Sequence, residues 1–150
     1  MDGLNLNFKD IKKILIPTDG SDHSMRAAEY GVGIAKILDA QIISVFVIDD
    51  VVIREMSKMN AQEDVESELK ENGQGYIKYI QGLASKEGVK ASSFLARGTP
   101  FEQIVHLAKE LGIDLIVMGT YGRRGAERIL IGSVTQRVIE YAQCPVLVIK

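Results

Sequence analysis

The amino-acid sequence predicts an α/β fold: a single open five-stranded parallel sheet, order 3-2-1-4-5, with helices on both faces in the Rossmann-like manner. Three observations predict it. Short, almost continuously apolar runs alternate with segments of helical period, as strands buried on both faces do. Right-handed crossovers leave few topologies open. The first and fourth runs have the unbroken apolar character of central strands, which puts them side by side in the middle.

In chain order, Ile11–Pro17 (IKKILIP) is the first strand. Thr18-Asp19-Gly20-Ser21 is turn chemistry, and Ser21 or Ser24 is positioned to cap a helix carrying Ala27, Ala28, Gly31, Ile34, Ala35 and Leu38 at helical spacing. Gln41–Ile48 (QIISVFVI) is the second strand. The segment 49–64 breaks the alternation, with Val51, Val52, Ile53, Met56 and Met59 among charges. It reads as a short helix, a lid or a surface loop. A helix from about Val65 to Lys86 contains Gly73 and Gly75, each costing about 1 kcal/mol against alanine, so a break or a disordered first turn is expected there. Val89–Ala96 is a third, less apolar strand suited to an edge. Thr99, Pro100 and Glu102 read as N-cap, N1 and N3 of the next helix, a capping box. Phe101, Ile104, Val105, Ala108 and Leu111 fall on one face of it, and Gly112 ends it. Asp114–Met118 and Pro145–Ile149 are the fourth and fifth strands. Between them a helix beginning near Ser133 carries Val134, Val138, Ile139 and Ala142.

The 150 residues are 46% apolar and 25% charged, with a formal charge of −2, an amount suited to one domain over residues 1–150. That balance argues against a broad nucleic-acid or membrane footprint. No apolar run is long enough to span a bilayer. The first residues lack the basic and hydrophobic regions of a signal peptide. The expectation is a cytoplasmic protein. The one cysteine, Cys144, cannot form an intrachain disulfide, and His23 and His106 do not cluster with it as a zinc site requires.

In the order 3-2-1-4-5 the chain reverses direction between strands one and four, and the crevice outside their carboxyl ends is the expected ligand site. Two segments leave those ends: Thr18–Ser21, and the glycine-rich stretch from Gly119 through Gly122 and Gly125 to Gly132 and Ser133. Glycines admit close backbone approach. Gly132 and Ser133 place N–H groups and a hydroxyl at a helix start, which suits an anion. Arg123, Arg124 and Arg128 oppose only Glu127 along this loop. Arg123 and Arg124 either reach phosphates or form a solvated face. The competing reading is a common strand-to-helix turn in which Ser133-Val-Thr-Gln136 is a capping box. The loop is neither a Walker A sequence nor a dinucleotide fingerprint, since the latter belongs after the first strand.

Gly119-x2-Gly122-x9-Gly132-Ser133 resembles the nucleotide-binding signature of the ATP-binding branch of the universal stress proteins. Ile14-Leu-Ile-Pro-Thr-Asp-Gly-Ser21 and Cys144-Pro-Val-Leu-Val-Ile149 are similar to the opening and closing blocks of that family. The resemblance covers nearly the whole chain, in order. It implies an adenine nucleotide in the crevice. Pro17 and Asp19 would meet the adenosine end, Val47 would pack on the base and Met118 would flank it. Gly119, Gly122, Gly132 and Ser133 would hold ribose and phosphates, with Val134 and Thr135 adding contacts. Each has a plainer alternative: Asp19 in an Asx-turn, Val47 and Met118 as core, Cys144 as a small buried hydrophobe.

These readings support an ATP-binding regulator or sensor acting through a homodimer, with an unknown downstream protein partner. Mg²⁺ or Mn²⁺ would be held by the phosphates, because no carboxylate cluster is visible. The fifth strand is an apolar edge guarded only by Lys150 and invites two-fold antiparallel pairing, as the resemblance also implies. The alternatives are a slow ATPase or phosphotransferase and a nucleotide-free dimerisation module; the intact glycine loop argues against the last. No general base is evident, so catalytic residues are not assigned and at most weak hydrolysis is expected. A phospho-acceptor receiver domain would need an aspartate ending strand three, where Ala96-Arg97-Gly98-Thr99 stands instead.

Overall fold

A computed structural model describes residues 7–121 and 131–150. The strands are β1 (Lys13–Pro17), β2 (Gln41–Asp49), β3 (Ala91–Gly98), β4 (Leu115–Gly119) and β5 (Val146–Ile149). The helices are α1 (Asp22–Leu38), α2 (Asp50–Met56), α3 (Gln62–Lys86), α4 (Pro100–Glu110) and α5 (Ser133–Tyr141), preceded by one 3-10 turn at Phe8–Asp10. All strand pairs are parallel, in the order β3-β2-β1-β4-β5. The expected topology is the observed one.

Period-two alternation sends the strand side chains to two faces. Ile14, Ile16, Ile42 and Val117 meet α1 and the C-terminal part of α3 on one face. Leu15, Ile43, Val45, Ile116 and Met118 meet Ile104 and Ala108 of α4 and Val138 of α5 on the other. Leu15, Ile116 and Val138 are fully buried, each burial stabilising by about 1.5–3 kcal/mol. A third cluster joins Phe46 and Ile48 of β2 to Ile53 of α2 and to Val65, Leu69 and Ile77 of α3. At the amino ends of the central strands, Asp114 Oδ2 accepts from the N–H groups of Lys12 and Lys13, both at 2.9 Å. That fixes β1 against β4 at the end opposite the crevice.

Three local expectations are corrected. Helix α3 starts at Gln62 and runs unbroken through Gly73 and Gly75. The space a Cβ of Gly73 would take is occupied by the Phe46 ring, so close α3–β2 packing outweighs the helix penalty. Gly75 faces open space, and nothing in the structure explains it. Thr99 is the backbone N-cap of α4, but its side chain makes no capping bond, so the expected capping box does not close. The N-cap of α5 is Gly132 rather than Ser133, which is already the first helical residue. Two open alternatives are resolved. Ser21 is the N-cap of α1, its side chain accepting from Ser24 N. The start of the irregular segment is the short helix α2, capped by Asp49 through a 2.9 Å bond from Val51 N.

Candidate functional site at the carboxyl ends of the strands

Outside the carboxyl ends of β1, β2 and β4 lies a cavity of about 300 Å³, the lower end of the range typical of ligand pockets. Its position at the reversal point follows from the strand order. Every expected site residue within the described part of the chain lines it: Pro17, Asp19, Val47, Met118, Gly119, Gly132, Ser133, Val134 and Thr135. Gly122, Arg123 and Arg124 lie outside the described residues. The middle is apolar, with Val45, Val47, Met118 and Ile104 below and Val52 of α2 and Leu69 of α3 at the side.

The β1 end is made of acceptors. Asp19 Oδ1 accepts from Ser21 N at 2.9 Å, so the Asx-turn forms and the carboxylate still lines the cavity. Ser24 Oγ donates to Ser21 O at 2.9 Å, which commits its proton. In the 3.0 Å contact between Thr18 Oγ1 and Ser24 Oγ, Thr18 is therefore the donor. Thr18 Oγ1 itself accepts from Gly20 N. Both hydroxyl protons are spent within the turn, and the oxygens keep only lone pairs for anything else. The carboxylate of Asp49, at the end of β2, lines the same region.

The β4 end is made of donors. Gln136 N makes the first backbone bond of α5, to Gly132 O. The N–H groups of Ser133, Val134 and Thr135 precede it and so lack an intrahelical acceptor. They carry the positive end of the helix dipole. Two bonds aim this terminus: Gly132 N donates to Thr120 O, and Thr135 Oγ1 donates to Gly119 O at 2.7 Å. The side chain of Thr135 thus ties α5 to β4, and only its N–H faces an unmet demand. Gly119 has a packing reason of its own. A Cβ there would stand 2.8 Å from the His23 carbonyl carbon, so the start of α1 leans on the last residue of β4.

Sequence reasoning missed Thr18, Ser24, Asp49 and Tyr121 as lining residues, and Tyr76 behind the wall. Gly20 has φ +81°, and the face of its Cα that a side chain would occupy is covered by the Tyr76 ring. Tyr76 also packs against Phe46, ring centroids 5.9 Å apart. Asp49 carried a legible signal, a capping residue directly after a buried strand. The contact between Tyr76 and Gly20 joins residues far apart in the chain and carried none. Beside α2, Arg97 of β3 bonds Asp50 of α2 at 3.0 Å and Glu66 of α3 at 2.9 Å. Both pairs are solvent-accessible and screened by water, so they add little to stability. Cys144 packs against the α4–α5 cluster away from the cavity, and burial raises its thiol pKa above the ordinary value. Among the described residues no group of three or more His, Cys, Asp or Glu is placed to hold a metal ion, and no helix is long and apolar enough to cross a membrane.

The universal stress protein family model matches residues 10–150. Universal stress protein MJ0531 of Methanocaldococcus jannaschii is 45% identical over 139 residues, covering 93% of this chain and 82% of the relative. The solved structure of MJ0577, a universal stress protein of the same organism, superposes with a TM-score of 0.82 at 31% identity, covering 93% of this chain and 96% of that one. A universal stress protein from Archaeoglobus fulgidus, solved in complex with dAMP, shares the fold with a TM-score of 0.67 at 22% identity, covering 93% and 98%. The matched length, the identity and the shared strand order agree: the chain belongs to the universal stress protein family.

Proposed function

We propose that the cavity binds an adenine nucleotide, ATP in the first instance, with its phosphates at the amino end of α5 and its nucleoside end over β1 and β2. One observation carries this reading: a single cavity that is acceptor-lined at one end, apolar in the middle and donor-lined at the other. A nucleotide has the complementary order, with ribose hydroxyls, a flat base and an anionic tail. The dAMP bound by the Archaeoglobus fulgidus protein is consistent with it. In this reading Gly119, Gly122, Gly132 and Ser133 hold ribose and phosphates, with Val134 and Thr135 contributing N–H groups. Pro17 and Asp19 meet the adenosine, and Val47 and Met118 bracket the base. Mg²⁺ or Mn²⁺ is held by phosphate oxygens and water, as Mg²⁺ commonly is. Titration calorimetry of nucleotide-free protein with ATP and Mg²⁺ tests the reading, and absence of binding refutes it.

The role we propose is regulatory, in the cytoplasm: nucleotide binding alters contacts with a downstream protein. A slow ATPase or phosphotransferase is the alternative. Turnover by purified protein approaching the enzyme median of about 10 s⁻¹ would favour that alternative. A homodimer through β5 is part of the same proposal. The strand is a sheet edge with Leu147 exposed, and Ile139 and Tyr141 are exposed on neighbouring α5, an edge suited to pairing. Light scattering at micromolar concentration should give twice the chain mass, and Leu147→Lys should halve it.

A further inference from the structure

A second cleft, of about 450 Å³, opens to solvent beside α2. It shares no lining residue with the first cavity, and α2 serves both: Val52 lines the first, while Asp50, Ile53 and Arg54 line the second. The walls of this cleft are cationic. Arg54, Lys58 and Arg97 line it against one acid, Asp50. Arg54 pairs with no carboxylate among the described residues. Lys58 is held by Glu55 at 3.1 Å, but both side chains are exposed, so water screens the pair and another anion can compete for the ammonium. Arg97 gives Nε to Asp50 and Nη1 to Glu66, which leaves Nη2 to donate elsewhere.

Two further groups add donors. Ser57 lines the cleft, and its hydroxyl oxygen is buried with no hydrogen-bond partner among the described residues, a costly state unless something completes it. Gln62, the first residue of α3, also lines the cleft. The cap before it is Ala61, whose methyl cannot accept a hydrogen bond, and the first backbone bonds of the helix return from Asp64 N and Val65 N to Ala61 O. The N–H groups of Gln62 and Glu63 precede them and lack an intrahelical acceptor. They stand at the positive end of a helix of 25 residues. Glu63 and Asp64, in the same turn, are exposed to water and do not line the cleft.

We propose that this cleft is a second binding site, for a phosphate group. Guanidinium forks, an ammonium, a hydroxyl and backbone N–H groups together engage more oxygens than the two a carboxylate offers, and phosphate supplies them. The proposal stands apart from the nucleotide reading, since none of these residues lines the first cavity.

Inorganic phosphate is the probe, added to the nucleotide-free full chain at constant ionic strength and followed by amide chemical shifts. The amides of Gln62 and Glu63 should shift and saturate at millimolar phosphate, and chloride should not reproduce the shift. Arg54→Gln combined with Lys58→Gln alters two exposed side chains and should leave the unfolding midpoint nearly unchanged. Binding read at Gln62 should weaken by about tenfold or more, the scale of lost hydrogen bonds to a charged group. The amides of Ser133, Val134 and Thr135 report the first cavity in the same spectra and should respond equally in both proteins. The proposal is overturned if the amides of Gln62 and Glu63 stay still, follow chloride as well as phosphate, or titrate identically in the double variant. A response confined to Ser133, Val134 and Thr135 overturns it as well, and leaves the nucleotide reading standing. Methyl phosphate in a parallel titration separates two sources of the group. Tighter binding than the free ion assigns the cleft to phosphate monoesters, and weaker binding assigns it to inorganic phosphate.

Discussion

Around Asp19, side chains hold the backbone in place. Asp19 Oδ1 and Thr18 Oγ1 accept from N–H groups of the turn, Ser21 Oγ accepts from Ser24 N at the start of α1, and Tyr76 closes over Gly20. Around Gly132 the relation is reversed. The residue at the cap has no side chain, the three N–H groups that follow precede the helical ladder, and among the described residues only the side chain of Thr135 reaches across to β4. The difference follows from what each end must present. Acceptors come cheaply from side chains, whereas a row of convergent N–H donors requires bare backbone at a helix start. The first end is consequently held by its own hydrogen bonds, and the second carries N–H groups without an intrahelical acceptor, which a ligand can satisfy.

The residue joining the two ends should be the most sensitive. Gly119 ends β4, receives the Thr135 hydroxyl and lies against the start of α1. Gly119→Val would force branched carbon into the His23 backbone, which cannot rotate away as a side chain can. A loss of about 3 kcal/mol is expected, together with loss of ATP binding, read by denaturant unfolding and calorimetry. A variant as stable as the parent would mean that the two ends are not coupled through this contact.

Gly20→Ala probes the acceptor end alone. Its φ of +81° disfavours a side chain, and the Tyr76 ring fills the space. The expected cost is about 1–3 kcal/mol. Affinity for adenosine should fall more than affinity for inorganic triphosphate. Equal losses for both ligands would show that the turn does not act at the nucleoside end.

How much of this was legible in the sequence follows the range of the interactions involved. The strands and their order were readable because burial on both faces writes itself into consecutive residues, as in Ile14–Pro17 and Leu115–Met118. The location of the cavity followed from that order. Continuity of α3 through Gly73 was not readable, because its cause is the ring of Phe46 on another element. Ser133 looked like a cap because capping chemistry is local, yet Gly132 takes that position, its N–H bonded to Thr120 O just past the end of β4. The Thr18–Ser24 relay also escaped notice, since the direction of each proton depends on the Ser21 carbonyl it ends on.

Thr135→Val is nearly isosteric and removes one donor at the other end. It leaves Gly119 O without the 2.7 Å bond it receives in a buried place. A loss of about 1–3 kcal/mol is expected. Affinity for inorganic triphosphate should drop with it, because the start of α5 is no longer held to β4. Unchanged triphosphate affinity would separate the aim of the helix from anion binding.

The smallest effect on stability should come from Ser133→Ala, and it sharpens the comparison most. Were Ser133 the cap of α5, removing its hydroxyl would cost about 0.5–2 kcal/mol. The cap is Gly132, and Ser133 is an exposed first helical residue whose hydroxyl makes no capping bond. Its stability cost should therefore stay within about 0.5 kcal/mol, as for other surface changes. If the hydroxyl meets a phosphate, the same substitution removes a hydrogen bond to a charged group, and ATP affinity should fall about tenfold or more. Unfolding midpoint and ATP affinity then move independently, which capping cannot produce. A midpoint that drops while affinity holds would return Ser133 to a purely structural role and leave the backbone N–H groups as the only donors at this end of α5.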